Sequence, residues 1–312
     1  MTSSREAAEF FAELASPLSL LSPKWLYDDT GSGLFEAITQ LPEYYPTRVE
    51  LSLLDEHAAT FAALTKATQL TELGSGASPK TQSLIRGFLT SPTPVTFTAF
   101  DINADAAHRS VQELTQLFPS GTFLAQHGDF NLGLPQPKDS GTHVIAFLGS
   151  TIGNFTPPQR IAFLESMRDS MREGDWLLLG VDLVKNTDRL LAAYNDSAGI
   201  TKRFILNVLS NINHACGTNF DMRNFDYVPT WNAPEERIEM RLVCKRPQLV
   251  SADSHHKQFS VGDEILVEIS TKFQLPAIER ELHEAGLAPK HQFVARDHGQ
   301  SESDFALILA QR

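Results

Sequence analysis

A glycine-rich turn beside a carboxylate is the feature of this sequence that most directly suggests chemistry. The segment Glu72-Leu-Gly-Ser-Gly76 follows a short apolar run and precedes Ser78-Pro79, a pattern typical of a helix start. Glycines in such a turn let the backbone approach a bound group closely, and the acid before them can hold a charged or hydroxylated partner. The third glycine of a dinucleotide-binding G-x-G-x-x-G motif is missing. Taken alone, the segment is also compatible with a plain tight turn.

Two more carboxylates follow later predicted strands. Asp101 ends the next strand, where a carboxylate can accept both hydroxyl groups of a ribose. Gly128-Asp129-Phe130 follows the third strand and supplies a carboxylate and a ring where an adenine would lie. Each could instead be a helix cap or a core aromatic. In this order, the three segments resemble the S-adenosylmethionine site of Rossmann-like methyltransferases.

The elements that must position these residues alternate between strand and helix. Short apolar runs separated by helical patterns predict an α/β fold, with strands near 68–73, 95–102, 122–125, 143–148 and 176–183. The run His143-Val-Ile-Ala-Phe-Leu148 is apolar throughout, as expected for a parallel strand buried on both faces. A final helix and two closing strands, near 290–295 and 305–310, resemble the end of the methyltransferase fold, whose last strand is antiparallel.

The pattern changes from about residue 187, which indicates a second, smaller α+β domain. Strands are predicted in 237–245 and 262–273, and the polar stretch at 251–257 is interpreted as a loop. We expect a Rossmann-like class I methyltransferase domain at 61–193 and 275–312. A substrate-binding domain is expected at 1–60 and 194–274, with the substrate in the cleft between the two.

Composition narrows the possible partners. The 312 residues carry a formal net charge of −12, which makes nucleic acid and anionic membrane surfaces unfavourable partners. Two cysteines and scattered histidines predict neither a disulfide framework nor a metal site. The N-terminus carries acids rather than the basic region of a signal peptide, and no run approaches the roughly 20 apolar residues of a membrane span. A cytoplasmic monomer is the expectation.

Several longer blocks resemble a narrower family, the histidine-specific Nα-methyltransferases that make hercynine for ergothioneine biosynthesis. The blocks are Lys24-Trp-Leu-Tyr-Asp28, Gly31-Ser-Gly-Leu-Phe35, Leu41-Pro-Glu-Tyr-Tyr-Pro-Thr-Arg48, Phe147-Leu-Gly-Ser-Thr-Ile-Gly-Asn-Phe155, Asp182-Leu-Val-Lys185, Glu235-Glu-Arg-Ile-Glu-Met240 and Glu268-Ile-Ser-Thr-Lys-Phe273. They extend over nearly the whole chain and occur in the family's order.

The resemblance implies trimethylation of the α-amino group of L-histidine, with S-adenosylmethionine as methyl donor. The residues that it assigns to the cofactor are Glu72, Gly74, Ser75, Lys80, Asp101, Asp129 and Phe130. Those that it assigns to the substrate are Tyr44, Asn154, Tyr194, Met240, Glu268 and Ser270. Tyr27, Asn154 and a backbone carbonyl near Gly149 are expected to assist loss of the amine proton, with water as the acceptor.

Glu268 and Ser270 make chemical sense for this substrate. Two residues apart on one strand, their side chains project to the same face. A carboxylate and a hydroxyl can engage the two imidazole nitrogens, one as acceptor and one as donor. The plain alternative is the solvated face of an edge strand. Asn154 could likewise cap the next helix, the tyrosines could be packing residues, and Met240 could belong to the core.

Three other functions remain open at this point. A methyltransferase of the same family could act on tryptophan or another aromatic amino acid, although an uncharged residue in place of Glu268 would suit that substrate better. A nucleotide-cofactor oxidoreductase is disfavoured by the missing third glycine. A non-catalytic ligand-binding module is disfavoured by the intact acids of the predicted cofactor site.

Overall fold

The computed structural model describes residues 2–16, 20–74, 78–130, 140–295 and 303–312. In these ranges the α-helices are α1 (Thr2–Ala15), α2 (Asp29–Thr39), α3 (Tyr45–Thr65), α4 (Pro79–Phe88), α5 (Ala104–Leu117), α6 (Pro157–Ser170), α7 (Thr187–Ala193), α8 (Ile200–Cys216) and α9 (Leu275–Glu284). The strands are β1 (Gln69–Leu73), β2 (Thr96–Asp101), β3 (Thr122–His127), β4 (His143–Phe147), β5 (Trp176–Asp182), β6 (Phe225–Asn232), β7 (Arg237–Cys244), β8 (Gln248–Ala252), β9 (His255–Phe259), β10 (Glu264–Thr271), β11 (Ala288–Ala295) and β12 (Phe305–Gln311).

The chain divides into two compact units, each made of two segments. Unit 1 comprises Met1–Tyr45 and Asn186–Thr271, and unit 2 comprises Pro46–Lys185 and Lys272–Arg312. The sequence analysis places the first boundary at 60/61, whereas the structure assigns all of α3 beyond its first residue to unit 2. The reason is packing, since the Phe61 ring of α3 lies 4.9 Å from that of Phe293.

Unit 2 contains a seven-stranded sheet in the order β11-β12-β5-β4-β1-β2-β3. The strands β1 to β5 are parallel, and β12 runs antiparallel to both β5 and β11. Both β4 and β5 are buried along their whole length, as their continuous apolar sequences predict. The predicted Rossmann-like class I methyltransferase sheet is therefore confirmed, including its antiparallel last strand.

His143, at the start of β4, is a buried histidine held in its neutral form. Its Nε2 lies 2.8 Å from Thr71 Oγ1, and Nδ1 has no hydrogen-bond partner among the described residues. Burial lowers the pKa of His143 to about 4, and nearby Asp175 offsets this only in part. Protonation of the folded protein is therefore unfavourable.

This histidine should make unit 2 sensitive to mild acid. The unfolded chain binds the proton near pH 6.5, whereas the folded chain binds it only near pH 4. The free energy of unfolding therefore decreases as the pH is lowered from 6.5 to 4. We expect H143N to flatten the loss by up to about 1.4 kcal/mol per pH unit in urea unfolding experiments at several pH values. Replacement of exposed His108 by asparagine is the control, and parallel pH profiles for H143N and the wild type would contradict the prediction.

Unit 1 contains a three-stranded antiparallel sheet in the order β10-β7-β6 and a separate hairpin formed by β8 and β9. The predicted strands in 237–245 and 262–273 are confirmed as β7 and β10. The interpretation of 251–257 as a loop is wrong, because those residues lie mostly in the hairpin. Buried Val250, Ala252 and Phe259 anchor the hairpin. Most of its other side chains are polar and at least partly exposed, which is why its sequence resembles that of a loop.

No helix within the described ranges combines the length and apolarity needed to cross a membrane.

Candidate active site

The first glycine turn follows β1 at the carboxyl end of the sheet. Gly74 has a φ of +68°, a conformation that favours glycine, and its N–H donates to Phe100 O at 2.8 Å. Glu72 is buried just before the turn. Ser78 then accepts from the Thr81 N–H at 3.3 Å, which confirms the predicted cap of α4. Ser75 lies outside the described residues.

Asp101 and Asp129 are brought to neighbouring strand ends by the pairing of β2 with β3. The Gly128 N–H donates to Asp101 O at 3.0 Å, so the turn that carries Asp129 begins beside Asp101. Burial raises the pKa of the Asp101 carboxyl, and the Asn103 N–H, which donates to it at 2.8 Å, opposes that shift. Acidic groups at the ends of β1, β2 and β3 therefore line one edge of the sheet.

Phe130 packs against the apolar core of unit 2. Its ring centroid lies 5.6 Å from that of Phe147 and 5.7 Å from that of Phe163. One part of the ring is thus fixed by core contacts while the residue remains half-buried. This arrangement is compatible with the predicted adenine contact, which stays a prediction.

A second turn follows β4 and is conformationally unusual. Gly149 has a φ of +76° and Ser150 a φ of +56°, which is uncommon for a residue with a side chain. Ser150 Oγ accepts from the Asp182 N–H at 2.9 Å. Asn154 ends the short 3-10 helix Thr151–Asn154. The next helix, α6, is capped instead at Thr156, whose N–H donates to Gln159 Oε1 at 2.9 Å, so Asn154 is not its cap residue.

Glu50 is a site residue that sequence reasoning missed. Its carboxylate is fully buried on α3 and accepts from the Gly149 N–H at 2.8 and 3.0 Å. Lys80, predicted to contact the cofactor, lies with Nζ 2.6 Å from Glu50 Oε2. A signal was available, since Glu50 lies next to Val49 and precedes Leu53 and Leu54 by three and four residues on the apolar face of α3.

Asp182, at the end of β5, forms a buried charge cluster with two lysines. Its carboxylate contacts Lys185 Nζ and lies 2.8 Å from Lys272 Nζ, and the side chains of both lysines are almost completely buried. Burial alone would raise the pKa of Asp182, but the two ammonium groups hold it below its usual value. Burial lowers the pKa of Lys185 to about 8. We name this set the Asp182 cluster.

In unit 1, β10 carries Glu268 and Ser270 into a buried polar environment. Both side chains are less than 10% exposed. The Tyr194 hydroxyl lies 2.8 Å from Ser270 Oγ, and the Tyr227 hydroxyl donates to Tyr194 O at 2.7 Å. The solvated-face alternative for Glu268 and Ser270 is therefore wrong. Met240, buried on β7, is paired directly with Glu268 in the strand register.

Tyr227 is the second residue that the sequence analysis missed. Burial raises the pKa of its hydroxyl well above the usual value, and the negative charge of Glu268 adds to that effect. The group therefore stays protonated and acts as a donor. Its strand, β6, was not predicted. The exposed positions of β6 include the apolar residue Val228, so apolar and polar residues do not alternate regularly along the sequence.

An aromatic group in unit 1 contains the other predicted tyrosines. The Tyr44 ring lies 6.0 Å from that of Tyr194, and the Tyr27 ring lies 5.8 Å from both Phe35 and Phe204. Tyr27 is 42% exposed, so part of its surface remains open to a ligand.

The block that contains Tyr27 is fixed locally. Asp28 Oδ1 accepts from the Gly31 N–H and from Asn207 Nδ2, both at 2.7 Å. A Cβ at Gly31 would lie 1.8 Å from Leu26 O, so glycine is required there. These contacts hold the chain on both sides of Tyr27.

The structure thus separates the predicted residues by unit. Unit 1 holds Tyr27, Tyr44, Tyr194, Met240, Glu268 and Ser270, and unit 2 holds Glu72, Gly74, Lys80, Asp101, Asp129, Phe130, Gly149 and Asn154. Within the described ranges, no three His, Cys, Asp or Glu side chains gather as metal ligands would.

The sheet order of unit 2, with its antiparallel β12 and the acids at the carboxyl ends of β1, β2 and β3, defines an S-adenosylmethionine-dependent methyltransferase of class I. A family model described as "histidine-specific methyltransferase, SAM-dependent" matches residues 7–312. The chain belongs to that family.

Relatives of known activity are similar over most of the chain. A histidine N-alpha-methyltransferase from Mycolicibacterium smegmatis is 41% identical over 300 residues, covering 96% of this chain and 92% of that protein. The enzyme of the same name from Mycobacterium tuberculosis is 40% identical, covering 94% and 90%. Ergothioneine biosynthesis protein 1 from Neurospora crassa is 31% identical over 273 residues, covering 84% of this chain and 30% of that longer protein.

Proposed function

We propose that this protein trimethylates the α-amino group of L-histidine with S-adenosylmethionine, giving hercynine for ergothioneine biosynthesis. Membership of the histidine-specific family supports the reaction class. The observation that carries the choice of substrate is the burial of Glu268 and Ser270, two residues apart on β10, with the Tyr194 hydroxyl 2.8 Å from Ser270 Oγ.

The pair suits a neutral imidazole, which presents one N–H donor and one acceptor nitrogen. The Glu268 carboxylate would accept from the N–H. If the Tyr194 hydroxyl donates to Ser270 Oγ, the Ser270 proton is left to donate to the other nitrogen. An indole ring lacks that acceptor nitrogen, so the contact from Ser270 to the substrate would be lost, which disfavours tryptophan.

The groups at the carboxyl end of the sheet fit S-adenosylmethionine. Gly74 adopts the conformation that allows close backbone approach, and the Glu72 and Asp101 carboxylates suit a molecule with an amine and ribose hydroxyls. Lys80, Asp129 and Phe130 complete the proposed set, with Ser75 retained from the family pattern. When bound, the cofactor supplies an electrophilic methyl group on a sulfonium ion.

The protein's own residues would orient the amine and help remove its proton before each transfer. We assign this to Tyr27, Asn154 and the carbonyl of Gly149, with water as the proton acceptor. The exposed part of the Tyr27 ring would tolerate the growing positive charge on nitrogen, because aromatic faces attract quaternary ammonium groups. Tyr44 would contact the substrate carboxylate, and Met240 would line the ring pocket. The family pattern gives Tyr194 a carboxylate contact as well, but we assign the single proton of its hydroxyl to Ser270.

Mass spectrometry of histidine incubated with the protein and S-adenosylmethionine tests the proposal. Sequential addition of three methyl groups is expected, and tryptophan in a parallel reaction should be methylated far more slowly than histidine. Preferential methylation of tryptophan would favour the alternative, an aromatic amino-acid methyltransferase of the same family.

Removal of the Tyr194 hydroxyl should weaken histidine binding. Tyr194→Phe frees the Ser270 hydroxyl from its buried 2.8 Å partner, so Ser270 is no longer oriented toward the ring nitrogen. One neutral hydrogen bond contributes about 1 kcal/mol, so KM for histidine should rise about fivefold. Steady-state kinetics measure this, and an unchanged KM would contradict the role given to Tyr194.

We also propose that the protein works in the cytoplasm as a monomer on a free amino acid, without nucleic acid or membrane partners. The net charge of −12 supports the last two points.

A further inference from the structure

Glu50 is a fully buried carboxylate to which the sequence analysis assigns no role. Burying a carboxylate is costly unless it is paired and hydrogen-bonded. Here the Gly149 N–H donates to both oxygens, at 2.8 and 3.0 Å, and Lys80 Nζ lies 2.6 Å from Oε2. One side chain of α3 thus joins two separate turns of unit 2.

The two turns belong to adjacent strands. Lys80 lies in the first turn of α4, just after the glycine turn that follows β1, and Gly149 lies in the turn that follows β4. The strands β1 and β4 are neighbours in the sheet. Glu50 therefore connects the proposed cofactor side, through Lys80, with the backbone carbonyl proposed to assist the amine.

The turn after β4 needs an external anchor. Gly149 and Ser150 both have positive φ values, which only glycine adopts readily. Glu50 holds the Gly149 N–H, and Ser150 Oγ accepts from the Asp182 N–H at 2.9 Å. The Gly149 carbonyl lies in the peptide group between these two anchors, so they fix its position.

A second element makes room for the carboxylate. Gly180 lies inside the buried strand β5, where a glycine is unfavourable because it has no side chain to pack. A Cβ at this position would lie 2.2 Å from Glu50 Oε1. The interior strand β5 thus has no side chain at the place that the Glu50 carboxylate occupies.

We propose that Glu50 is a positioning residue for methyl transfer. It fixes the Gly149 carbonyl through the N–H of the same residue, and it holds the Lys80 ammonium where the cofactor binds. The inference rests on the proposed function only in the role given to the Gly149 carbonyl. The link between Glu50 and cofactor affinity can be tested without histidine.

Two replacements separate the two contacts. Glu50→Gln keeps an oxygen that can accept from the Gly149 N–H but removes the charge that pairs with Lys80. Glu50→Ala removes both. We expect Glu50→Gln to weaken S-adenosylhomocysteine binding about tenfold in calorimetry while kcat stays within about threefold of the wild type. Glu50→Ala should show the same loss of affinity and, in addition, a fall in kcat of about 30-fold, normalised to calorimetric binding sites.

A matched control uses another paired carboxylate of unit 2. Glu281, on α9, forms a two-point ion pair with Arg160 at 2.8 and 2.9 Å. Among the described residues it has no hydrogen bond or ion pair with Lys80 or Gly149. Glu281→Gln should leave kcat and S-adenosylhomocysteine affinity unchanged. A purely structural role for Glu50 predicts a lower unfolding midpoint with normal kcat per binding site.

Two outcomes would overturn the proposal. One is a folded Glu50→Ala protein with wild-type kcat per site. The other is measured on the double variant Glu50→Gln with Lys80→Met, and it can be tested even if Glu50→Ala does not fold. Additive effects of the two replacements on S-adenosylhomocysteine affinity would show that Glu50 does not act through Lys80. A wild-type protein that binds S-adenosylhomocysteine without methylating histidine would refute the proposed function and leave this affinity test intact.

Discussion

Glu268→Ala should lower kcat/KM for histidine about 100-fold while S-adenosylhomocysteine affinity stays within about twofold of the wild type. The expectation follows from burial, because the variant loses a charged acceptor and leaves the imidazole N–H unpaired in a dry environment. Tryptophan, which does not use the same pair of contacts, should lose far less. The preference between the two amino acids is therefore the most informative measurement.

Glu264, at the start of the same strand, provides the control. Its carboxylate is partly exposed and pairs with Arg241 at 3.1 Å. Glu264→Ala should leave the kinetics for both amino acids unchanged. A Glu268→Ala protein that retained the wild-type preference for histidine would show that the imidazole is recognised elsewhere.

Asp182→Asn should lower the free energy of unfolding by about 3–5 kcal/mol. The replacement leaves Lys185 and Lys272 buried without the carboxylate that now contacts both. Removing one partner of a buried charge cluster is among the costliest changes that a folded protein can undergo. Urea unfolding at pH 7 measures the loss.

Two further variants define the origin of that loss. Asp169→Asn removes a carboxylate that lies 2.7 Å from Arg168 on the exposed surface of α6, and it should change stability by less than about 1 kcal/mol. Combining Asp182→Asn with Lys272→Met should recover part of the lost stability, because the cost of burying one ammonium group disappears. A loss below about 1 kcal/mol for Asp182→Asn alone would contradict the importance of the Asp182 cluster.

The sheet of unit 2 could be predicted from sequence because its signals are local. Strands such as β4 are buried on both faces and therefore apolar throughout, and the turns after β1 and β4 contain glycines where a positive φ is required. The predicted reaction also came from local signals, because each block that resembles the histidine-specific family is a short, continuous stretch of sequence. The assignment of Glu268 to the substrate depended on the family, because the spacing of Glu268 and Ser270 suits the solvated face of an edge strand equally well.

What sequence reasoning missed depends on contacts between distant segments. Glu50 and Gly149 are 99 residues apart, and a glutamate on a helix ordinarily indicates solvent. The boundary of unit 2 was placed too late because the packing of Phe61 against Phe293 joins α3 to a strand more than 200 residues further along. The β8–β9 hairpin was missed because its sequence is polar, although a few buried side chains are enough to anchor it.

The position of β12 in the sheet has a consequence for how the protein folds while it is being translated. It follows every other strand in the chain, yet it lies at an interior position and pairs with both β5 and β11. While the ribosome makes residues 183–304, β12 is not yet available, so the backbone N–H and C=O groups on that edge of β5 have no strand to pair with. The residues of unit 1 that follow β5 are made in the same interval. Such an edge is a site for misassociation, so newly made molecules should depend on chaperones until residues 305–311 emerge and close the sheet.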